Sequence, residues 1–234
     1  MRVNLEDLTK YAYCPVFYQN NHPLVKESNP IMDILRVEAI YLWGRQLEVG
    51  YKINWQEAMN KWDRLWWTTR DLNDSVARKQ CNDGLVGLKR LYDYYREDDR
   101  RPLATNFPYT LELTQHHVMG SIPLILCDPN DPRKLSLVDL GLKLNQARMT
   151  RNLDLRLASV YAEQVIGHQP TILEVLHFNQ DYKLDHTRLF PTEKFQQNSR
   201  QIIASLLQSM QQQLFYPNLM ACGDCSAGQR CTLP

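Results

Sequence analysis

Three cysteines lie close together near the end of this chain. Cys222, Cys225 and Cys231 are three and then six residues apart, shortly before the last of 234 residues. Three thiols make an incomplete ligand set, because iron–sulfur clusters and structural zinc sites both usually take four protein ligands. The spacing therefore predicts a metal site whose fourth ligand comes from a distant part of the chain.

The fourth ligand must be another cysteine or a histidine. Cys81 lies in a helical pattern and Cys127 closes an apolar run, where a lone cysteine is usually a small buried hydrophobe. Cys14 ends the helical pattern NLEDLTKYAYC and precedes Pro15, so we expect its side chain at an exposed turn. One distant cysteine combined with CxxCx5C favours an iron–sulfur cluster, with structural zinc and free thiols as the alternatives.

The charge balance and the apolar runs limit the partners and the compartment. With 27 basic and 26 acidic residues the formal net charge is +1, so nucleic-acid binding would need a local basic patch. Acidic residues interrupt the N-terminal segment where a secretion signal needs an apolar core, and no run approaches about 18 apolar residues. We therefore expect a cytoplasmic protein without a membrane span, in which disulfides are not the role of the cysteines.

Helical periodicity dominates the first hundred residues. It predicts helices in PIMDILRVEAIYLWGRQLEVGYKI, in NWQEAMNKWDRLWWTTRDL and in SVARKQCNDGLVGLKRLYDYYRE. Trp55, Trp62 and Trp66 recur on one face of the second of these, which predicts core packing rather than a platform for stacking nucleic-acid bases. The charged run REDDRRP that follows predicts a solvated boundary.

The pattern becomes β-rich beyond Pro102. Two β-rich runs flank the turn DPNDPRK, and a helix, the strand PTILEVLHFN and a long final helix follow. His116 and His117 are neighbours on a predicted strand and face opposite sides, so we assign neither as a ligand. These elements predict an α/β fold with a small mixed sheet, in one domain spanning residues 1–234 with a helical insertion near 51–100.

Several of these segments together resemble a known family. YAYCPVFY near the start, LFYPN before the end and the terminal CxxCx5C resemble the iron–sulfur nucleases of the RecB and AddB type, including the CRISPR-associated exonucleases. The resemblance implies a restriction-endonuclease-like PD-(D/E)xK core and a largely structural 4Fe–4S cluster that joins the two ends of the chain. The ligands that it implies are Cys14, Cys222, Cys225 and Cys231.

The same resemblance implies where a nuclease site would lie. In such nucleases two carboxylates hold a divalent metal and a lysine orients the attacking water. The family patterns GxID and DxK correspond here to GSIP and DLG, so Pro123 replaces the first aspartate and Gly141 the lysine, while Asp139 remains. This departure predicts a degenerate active site.

Two further family positions also depart from the pattern. The histidine of the preceding helix corresponds to Glu48, and the glutamine of the QxxxY helix to Leu157, four residues before a retained Tyr161. A relocated site is the alternative, because Lys143 lies about 7 Å beyond Gly141 on the same face of an extended strand. Such a site would use Mg²⁺ or Mn²⁺, and its second carboxylate could come from Glu48, Asp128 or Asp131.

Basic residues follow the remnant of the DxK pattern. The segment GLKLNQARMTRNLDLR borders the nucleic-acid channel in the family, and its candidate phosphate contacts are Lys143, Arg148, Arg151 and Arg156. Asp154 interrupts this run, so a solvated loop is the alternative. We expect a catalytically inactive nuclease-like protein that serves as a DNA-binding or structural subunit, with DNA, proteins or both as partners. An active metal-dependent DNA exonuclease that uses Asp139, Lys143 and Glu48 is the alternative.

Overall fold

The computed structural model of the protein describes residues 2–19, 30–68, 74–113, 115–141, 146–179 and 181–215. The helices within these ranges are α1 (Leu5–Tyr13), α2 (Pro15–Gln19), α3 (Pro30–Val49), α4 (Trp55–Trp67), α5 (Ser75–Glu97), α6 (Gln146–Met149), α7 (Leu153–Ile166) and α8 (Glu193–Gln211). The strands are β1 (Arg2–Asn4), β2 (Arg101–Leu113), β3 (His116–Cys127), β4 (Leu135–Leu140), β5 (Ile172–Phe178) and β6 (Leu184–Leu189).

These strands form one six-stranded mixed sheet. The strands β2, β3 and β4 form an antiparallel meander, β5 lies parallel to β4, and β6 returns antiparallel to β5. Since β2 pairs along the whole of β3, the short β1 and the strand β4 share the other edge of β3, at opposite ends. The predicted α/β fold with a small mixed sheet is confirmed.

Each face of the sheet carries its own layer of helices. The α7–α8 face, named for its main helices, packs sheet residues such as Leu137 and Val175 against helical residues such as Leu157. The opposite α3–α5 face packs Val138 against Trp43, among others. Because neighbouring residues of β4 enter opposite cores, the backbone directs alternate side chains of this strand to the two helical layers.

The tryptophan stripe of α4 lies in the core, as predicted. The rings of Trp62 and Trp66 are fully buried and stack with their centroids 5.6 Å apart. On α5, a Cβ atom at Gly84 would lie 2.6 Å from the Trp62 ring, so only glycine allows this close approach. The side chain of Asn54 starts α4 by accepting a hydrogen bond from the Glu57 N–H at 2.9 Å.

The sequence did not predict three features of the sheet. The β-rich run before the turn at 128–134 is two strands, β2 and β3, rather than one. The strand β1 has only three residues, and β6 reads LDHTRL, which lacks the apolar alternation of a half-buried strand. Both are too short or too polar for periodicity to detect.

The charged run REDDRRP is solvated only in part, which corrects the sequence prediction: four of its seven residues are exposed, but Arg100 is not. The Arg100 side chain is largely buried, and its Nη1 lies 2.7 Å from Oε2 of the fully buried Glu174 on β5. Arg188 Nε donates to Glu174 Oε1 at 2.8 Å, and the Tyr94 hydroxyl donates to the same oxygen at 3.0 Å. Asp98 accepts from Arg100 as well, so the run closes a buried ion-pair network on the α3–α5 face.

The neighbouring histidines His116 and His117 differ in burial, as expected for side chains on opposite faces of a strand. His116 is buried, whereas His117 is partly exposed and lies 3.5 Å from Glu112 of the neighbouring strand. The alternation of a strand accounts for this difference.

Candidate functional site

Three positions that the resemblance assigns to nuclease chemistry meet at one end of β3 and β4. Leu124 pairs with Val138, so Pro123 lies one step further along, beside Asp139 on the neighbouring strand. A Cβ atom at Gly141 would lie 3.1 Å from Asp139 Oδ2. We call positions 123, 139 and 141 the strand-end site. It carries one carboxylate, one proline and one residue without a side chain.

The β3 strand is irregular at this site. Ile122 belongs to the core of the α7–α8 face, whereas Leu124 belongs to that of the α3–α5 face, so the strand changes face at Pro123. Opposite Pro123 on β2, Asn106 has a φ of +46°, in the left-handed region. Proline has no N–H to donate to the neighbouring strand, which accounts for an irregularity at this step.

Asp139 and Glu48 lie in different surroundings. Asp139 is half-buried, and its Oδ1 accepts a hydrogen bond from the Leu140 N–H at 2.8 Å. Its side chain points to the α7–α8 face, since it alternates with Val138. Glu48 is on α3, on the other face, with a side chain 66% exposed and 2.7 Å from Arg45 Nη1. Lys143, the third residue of the alternative active site, lies outside the described residues.

The two other carboxylates considered for a relocated site lie at the wrong end of β4. Asp128 Oδ1 accepts from the Asn130 N–H at 2.8 Å, and Asp131 Oδ1 accepts from the Arg133 N–H at 3.1 Å, so both organise the β3–β4 turn. Asp139 is four residues beyond the first residue of β4, which is about 13 Å along an extended strand. Neither turn aspartate can therefore share a metal ion with Asp139.

The two α7 positions that the resemblance assigns to the QxxxY pattern lie in the core. Leu157 is fully buried within the apolar core of the α7–α8 face and has no side-chain hydrogen-bonding group. Tyr161 is also buried and stacks on Tyr109, with ring centroids 4.8 Å apart. This helix contributes packing to the fold.

A buried histidine near the strand-end site was not singled out from the sequence. His177 lies on β5 two residues beyond Val175, on the same face, and the Leu140–Leu176 pair places it beside position 141. Its Nε2 is 3.7 Å from Asp185 Oδ2, and neither ring nitrogen makes a hydrogen bond within the described residues. The signal was present in the sequence, because His177 continues the alternation of LEVLHF.

These side chains do not form a metal-binding group as they are placed. Among the residues that the structure describes, no set of three or more His, Cys, Asp and Glu side chains could hold a metal ion. The strand-end site, which the resemblance assigns to a nuclease centre, thus has no metal-ligand set among the described residues.

The structure describes one of the four candidate cluster ligands. Cys14 lies between α1 and α2 and is only 5% exposed, which corrects the expectation of an exposed turn. Cys222, Cys225 and Cys231 lie outside the described residues. Cys81 and Cys127 are buried, and Cys81 Sγ accepts a hydrogen bond from Trp62 Nε1 at 3.4 Å, which fits core packing.

The chain that follows α8 lies against α1, the helix that ends just before Cys14. The Tyr11 hydroxyl donates a hydrogen bond to the Leu214 carbonyl at 2.6 Å, and the rings of Tyr11 and Phe215 are 6.3 Å apart. The Tyr18 ring packs edge-on against Tyr11, at 5.7 Å. We call Tyr11, Cys14, Tyr18, Leu214 and Phe215 the terminal junction. The residues present bear on a four-thiolate site in one respect, because Leu214 and Phe215, the last described residues, contact Tyr11, three residues before Cys14.

The basic candidates separate into exposed and buried residues. Arg148 and Arg151 are exposed around the end of α6. Arg156 is buried: its Nη1 donates to Ser199 Oγ at 2.8 Å and its guanidinium lies 4.9 Å from the Phe195 ring. Burial lowers the pKa of Arg156. This arginine joins α7 to α8 and does not face solvent where a phosphate could reach it, which corrects its assignment.

The length and apolarity of the described helices decide whether any of them could span a membrane. No helix in the described ranges is both long and apolar enough to cross a bilayer.

Comparison with known proteins supports the fold rather than the chemistry. No protein-family model and no curated protein matches this sequence. The chain is similar to a crystal structure from Eubacterium rectale, of a protein provisionally named an exonuclease, with a TM-score of 0.54 and 9% identity over 100% of this chain and 89% of that one. A crystal structure of the protein SSO0001 matches with a TM-score of 0.34 and 8% identity over 95% of each chain, and carries no argument. At 9% identity the first similarity shows a shared fold.

Proposed function

We propose that this chain is a catalytically inactive relative of PD-(D/E)xK nucleases, a single domain with a restriction-endonuclease-like core and a 4Fe–4S cluster. The fold supports this proposal through its order of elements, in which α3 precedes the β2–β4 meander and α7 connects β4 to the parallel β5. The similarity to the Eubacterium rectale protein agrees with it.

The composition of the strand-end site carries the proposal of inactivity. Metal-dependent phosphodiester cleavage needs carboxylates to hold the divalent ion and a group to orient the attacking water. Pro123 lies where the second carboxylate would be needed beside Asp139, and proline cannot coordinate a metal ion. Gly141, whose Cβ direction points at the Asp139 carboxylate, has no side chain with which to orient water.

The terminal junction supports the proposed cluster. Its ligands would be Cys14, Cys222, Cys225 and Cys231, and the cluster would act as a crosslink between the ends of the chain. Tyr11, in the helix before Cys14, contacts Leu214 and Phe215, which directly precede the terminal segment. The crosslink would close a loop of roughly 200 residues, for which chain entropy gives about 5 kcal/mol as an upper value.

We assign such a protein a binding or architectural role in a larger assembly. Arg148 and Arg151 are exposed and, with Lys143, would contact phosphates of DNA without cutting it. Protein partners are the second class of ligand for an inactive nuclease fold.

Degradation of end-labelled DNA tests the proposal. Anaerobically purified protein is incubated with single- and double-stranded substrates and Mg²⁺ or Mn²⁺, beside Lys143→Ala and, as a matched control from the distant β3–β4 turn, Lys134→Ala. We expect no cleavage by any of the three proteins. Metal-dependent cleavage that Lys143→Ala abolishes and Lys134→Ala retains would establish the alternative, an active exonuclease with relocated residues.

A further inference from the structure

Arg156 is a buried cation whose partners in the described part of the chain are all uncharged. The residue is 8% exposed, and its Nη1 donates a hydrogen bond to the Ser199 hydroxyl at 2.8 Å. Its Nη2 donates to the carbonyl of Thr150, and its guanidinium lies 4.9 Å from the Phe195 ring. A buried charge without an opposite charge beside it destabilises a fold. Stability alone therefore does not account for an arginine at this position.

The carbonyl that Arg156 holds lies between two exposed arginines. Thr150 directly follows α6, with Arg148 before it and Arg151 after it, and both of these arginines are exposed. The last carbonyls of a helix have no partner within the helix, and an arginine side chain can donate to them. Arg156, which lies in the first turns of α7, thus caps the exit of α6 from the neighbouring helix.

The other described backbone bonds of this segment are local. The Arg151 N–H returns to the Arg148 carbonyl at 3.1 Å, and the Asn152 N–H returns to the Met149 carbonyl at 3.1 Å. Met149 is fully buried in the core of the α7–α8 face and anchors the segment at one point. The local bonds fold the segment on itself, and the bond from Arg156 adds a link to α7 that they do not supply.

We propose that Arg156 is a positioning residue for DNA binding: its guanidinium holds the Thr150 carbonyl, so that Arg148 and Arg151 are presented together at the surface. This inference rests on the proposed contact of these two arginines with phosphates, and it adds a residue that does not itself touch DNA. A segment that is already held in its bound conformation loses less conformational freedom on binding, so its affinity is higher.

Arg156→Met tests this role, because it keeps a long apolar stem and removes the donors. Replacement of a buried charge by an apolar side chain of similar length is often neutral or stabilising, so this variant should fold. The matched control is Gln196→Leu, which removes another buried bond between α7 and α8, from Gln196 Nε2 to Ser159 Oγ at 2.7 Å, without touching the segment after α6.

Both substitutions are made in the wild-type chain and in the Arg148→Ala/Arg151→Ala background. Affinity for fluorescently labelled double-stranded DNA is measured at low salt, where residual binding of the double-alanine background is still detectable. Circular dichroism at the same temperature verifies that each variant is folded. The two backgrounds separate a role through Arg148 and Arg151 from a general effect on the fold, because only the former disappears when these arginines are absent.

We expect Arg156→Met to bind DNA about fivefold more weakly than wild type, the change that one net hydrogen bond supports. Gln196→Leu should match wild type, and Arg156→Met should have no further effect in the double-alanine background. Wild-type affinity in Arg156→Met, an equal loss in Gln196→Leu, or the same fivefold loss in both backgrounds would overturn the positioning role and leave DNA binding standing. Wild-type protein without affinity for DNA, or with affinity that the double-alanine substitution does not change, would instead contradict the proposed DNA contact.

Discussion

The two faces of the sheet hold their polar residues in different ways. On the α3–α5 face, Glu174 is fully buried and receives bonds from Arg188 and Tyr94, with Arg100 2.7 Å away. On the α7–α8 face, Asp139 is only half-buried, with Pro123 and Gly141 where partners for metal chemistry would lie. The more deeply buried carboxylate, Glu174, therefore stabilises the fold. The strand-end site, which resemblance assigns to catalysis, lacks further metal-binding side chains beside Asp139.

A second contrast lies within the α7–α8 side of the molecule. The strand-end site, assigned by resemblance, has one carboxylate and lacks the other groups of a nuclease centre, whereas at the terminal junction Tyr11, three residues before Cys14, is bonded to Leu214 at the end of the described chain. On the proposed function, the cluster would be retained and the catalytic residues absent, which would indicate a requirement for shape rather than for turnover. The experiments below test each side of this contrast.

Removal of Cys14 should have the largest effect. Without one ligand the proposed cluster would be lost, and with it a crosslink worth at most about 5 kcal/mol by chain entropy. We expect Cys14→Ser to be purified without iron and to unfold at a much lower urea concentration. Cys127→Ala, a buried cysteine outside the junction, is the control and should retain iron. Full iron content in Cys14→Ser would exclude Cys14 as a ligand.

Disruption of the Glu174 network should have the next largest effect. Arg100→Met leaves the buried carboxylate short of a cation, which typically costs about 3–5 kcal/mol. Urea unfolding should show this loss, whereas Arg90→Met, at an exposed position of α5, should change the free energy of unfolding by less than about 0.5 kcal/mol. A loss below about 1 kcal/mol in Arg100→Met would show that Arg188 and Tyr94 suffice.

A third experiment uses the other buried carboxylate of the α3–α5 side. Burial raises the pKa of Glu38 to about 8 from 4.5, partly offset by the nearby Lys61 ammonium, and its carboxyl oxygens have no hydrogen-bond partner within the described residues. The folded state therefore holds a proton that the unfolded state releases, so stability is greatest below about pH 4.5 and this contribution is lost as the pH rises to about 8.

Glu38→Gln should remove that dependence. We expect a gain on the order of 2 kcal/mol at pH 8 relative to pH 5, compared with wild type, from urea unfolding at both pH values. Glu48→Gln, exposed on the same helix, is the control and should leave the pH profile unchanged. Equal pH profiles for Glu38→Gln and wild type would mean that Glu38 ionises in the folded protein without penalty.

The smallest effect concerns DNA. Arg148→Ala combined with Arg151→Ala should weaken binding to DNA of any sequence and reduce the slope of log affinity against log salt by about two. The control pair Arg133→Ala and Lys134→Ala, in the β3–β4 turn, should leave both quantities unchanged. Identical salt slopes for wild type and the Arg148/Arg151 variant would remove this surface from the nucleic-acid interface.

Local patterns predicted the elements and the sequence positions of the candidate site, but not the contacts between distant segments. Helical periodicity located α3, α4, α5, α7 and α8, and the Asp–Pro–Asn turn located the β3–β4 connection. The run around Arg100 looked solvated because its partner, Glu174, is 74 residues away and reads as part of an apolar strand. Long-range pairing of this kind leaves no periodic signal in the sequence.

The candidate site shows the same difference between local patterns, which the sequence reveals, and contacts between distant segments, which it does not. By resemblance, the patterns GSIP and DLG indicated the positions that a nuclease would use for catalysis, and the strand register then placed Pro123 next to Asp139. The burial of Arg156 depends on Ser199 of α8, and the contact of Tyr11 depends on a backbone carbonyl beyond the last helix. Neither follows from residue type or spacing, since both require knowledge of how the helices pack.

Restoration of the missing side chains tests the central claim most directly. Wild type, Asp139→Ala and the double variant Pro123→Asp with Gly141→Lys are compared for Mn²⁺-dependent degradation of end-labelled DNA. The account predicts no cleavage by wild type or Asp139→Ala and measurable cleavage by the double variant, because its two carboxylates and lysine would meet at the strand-end site. Cleavage by wild type that Asp139→Ala abolishes would contradict the account and make this chain a nuclease.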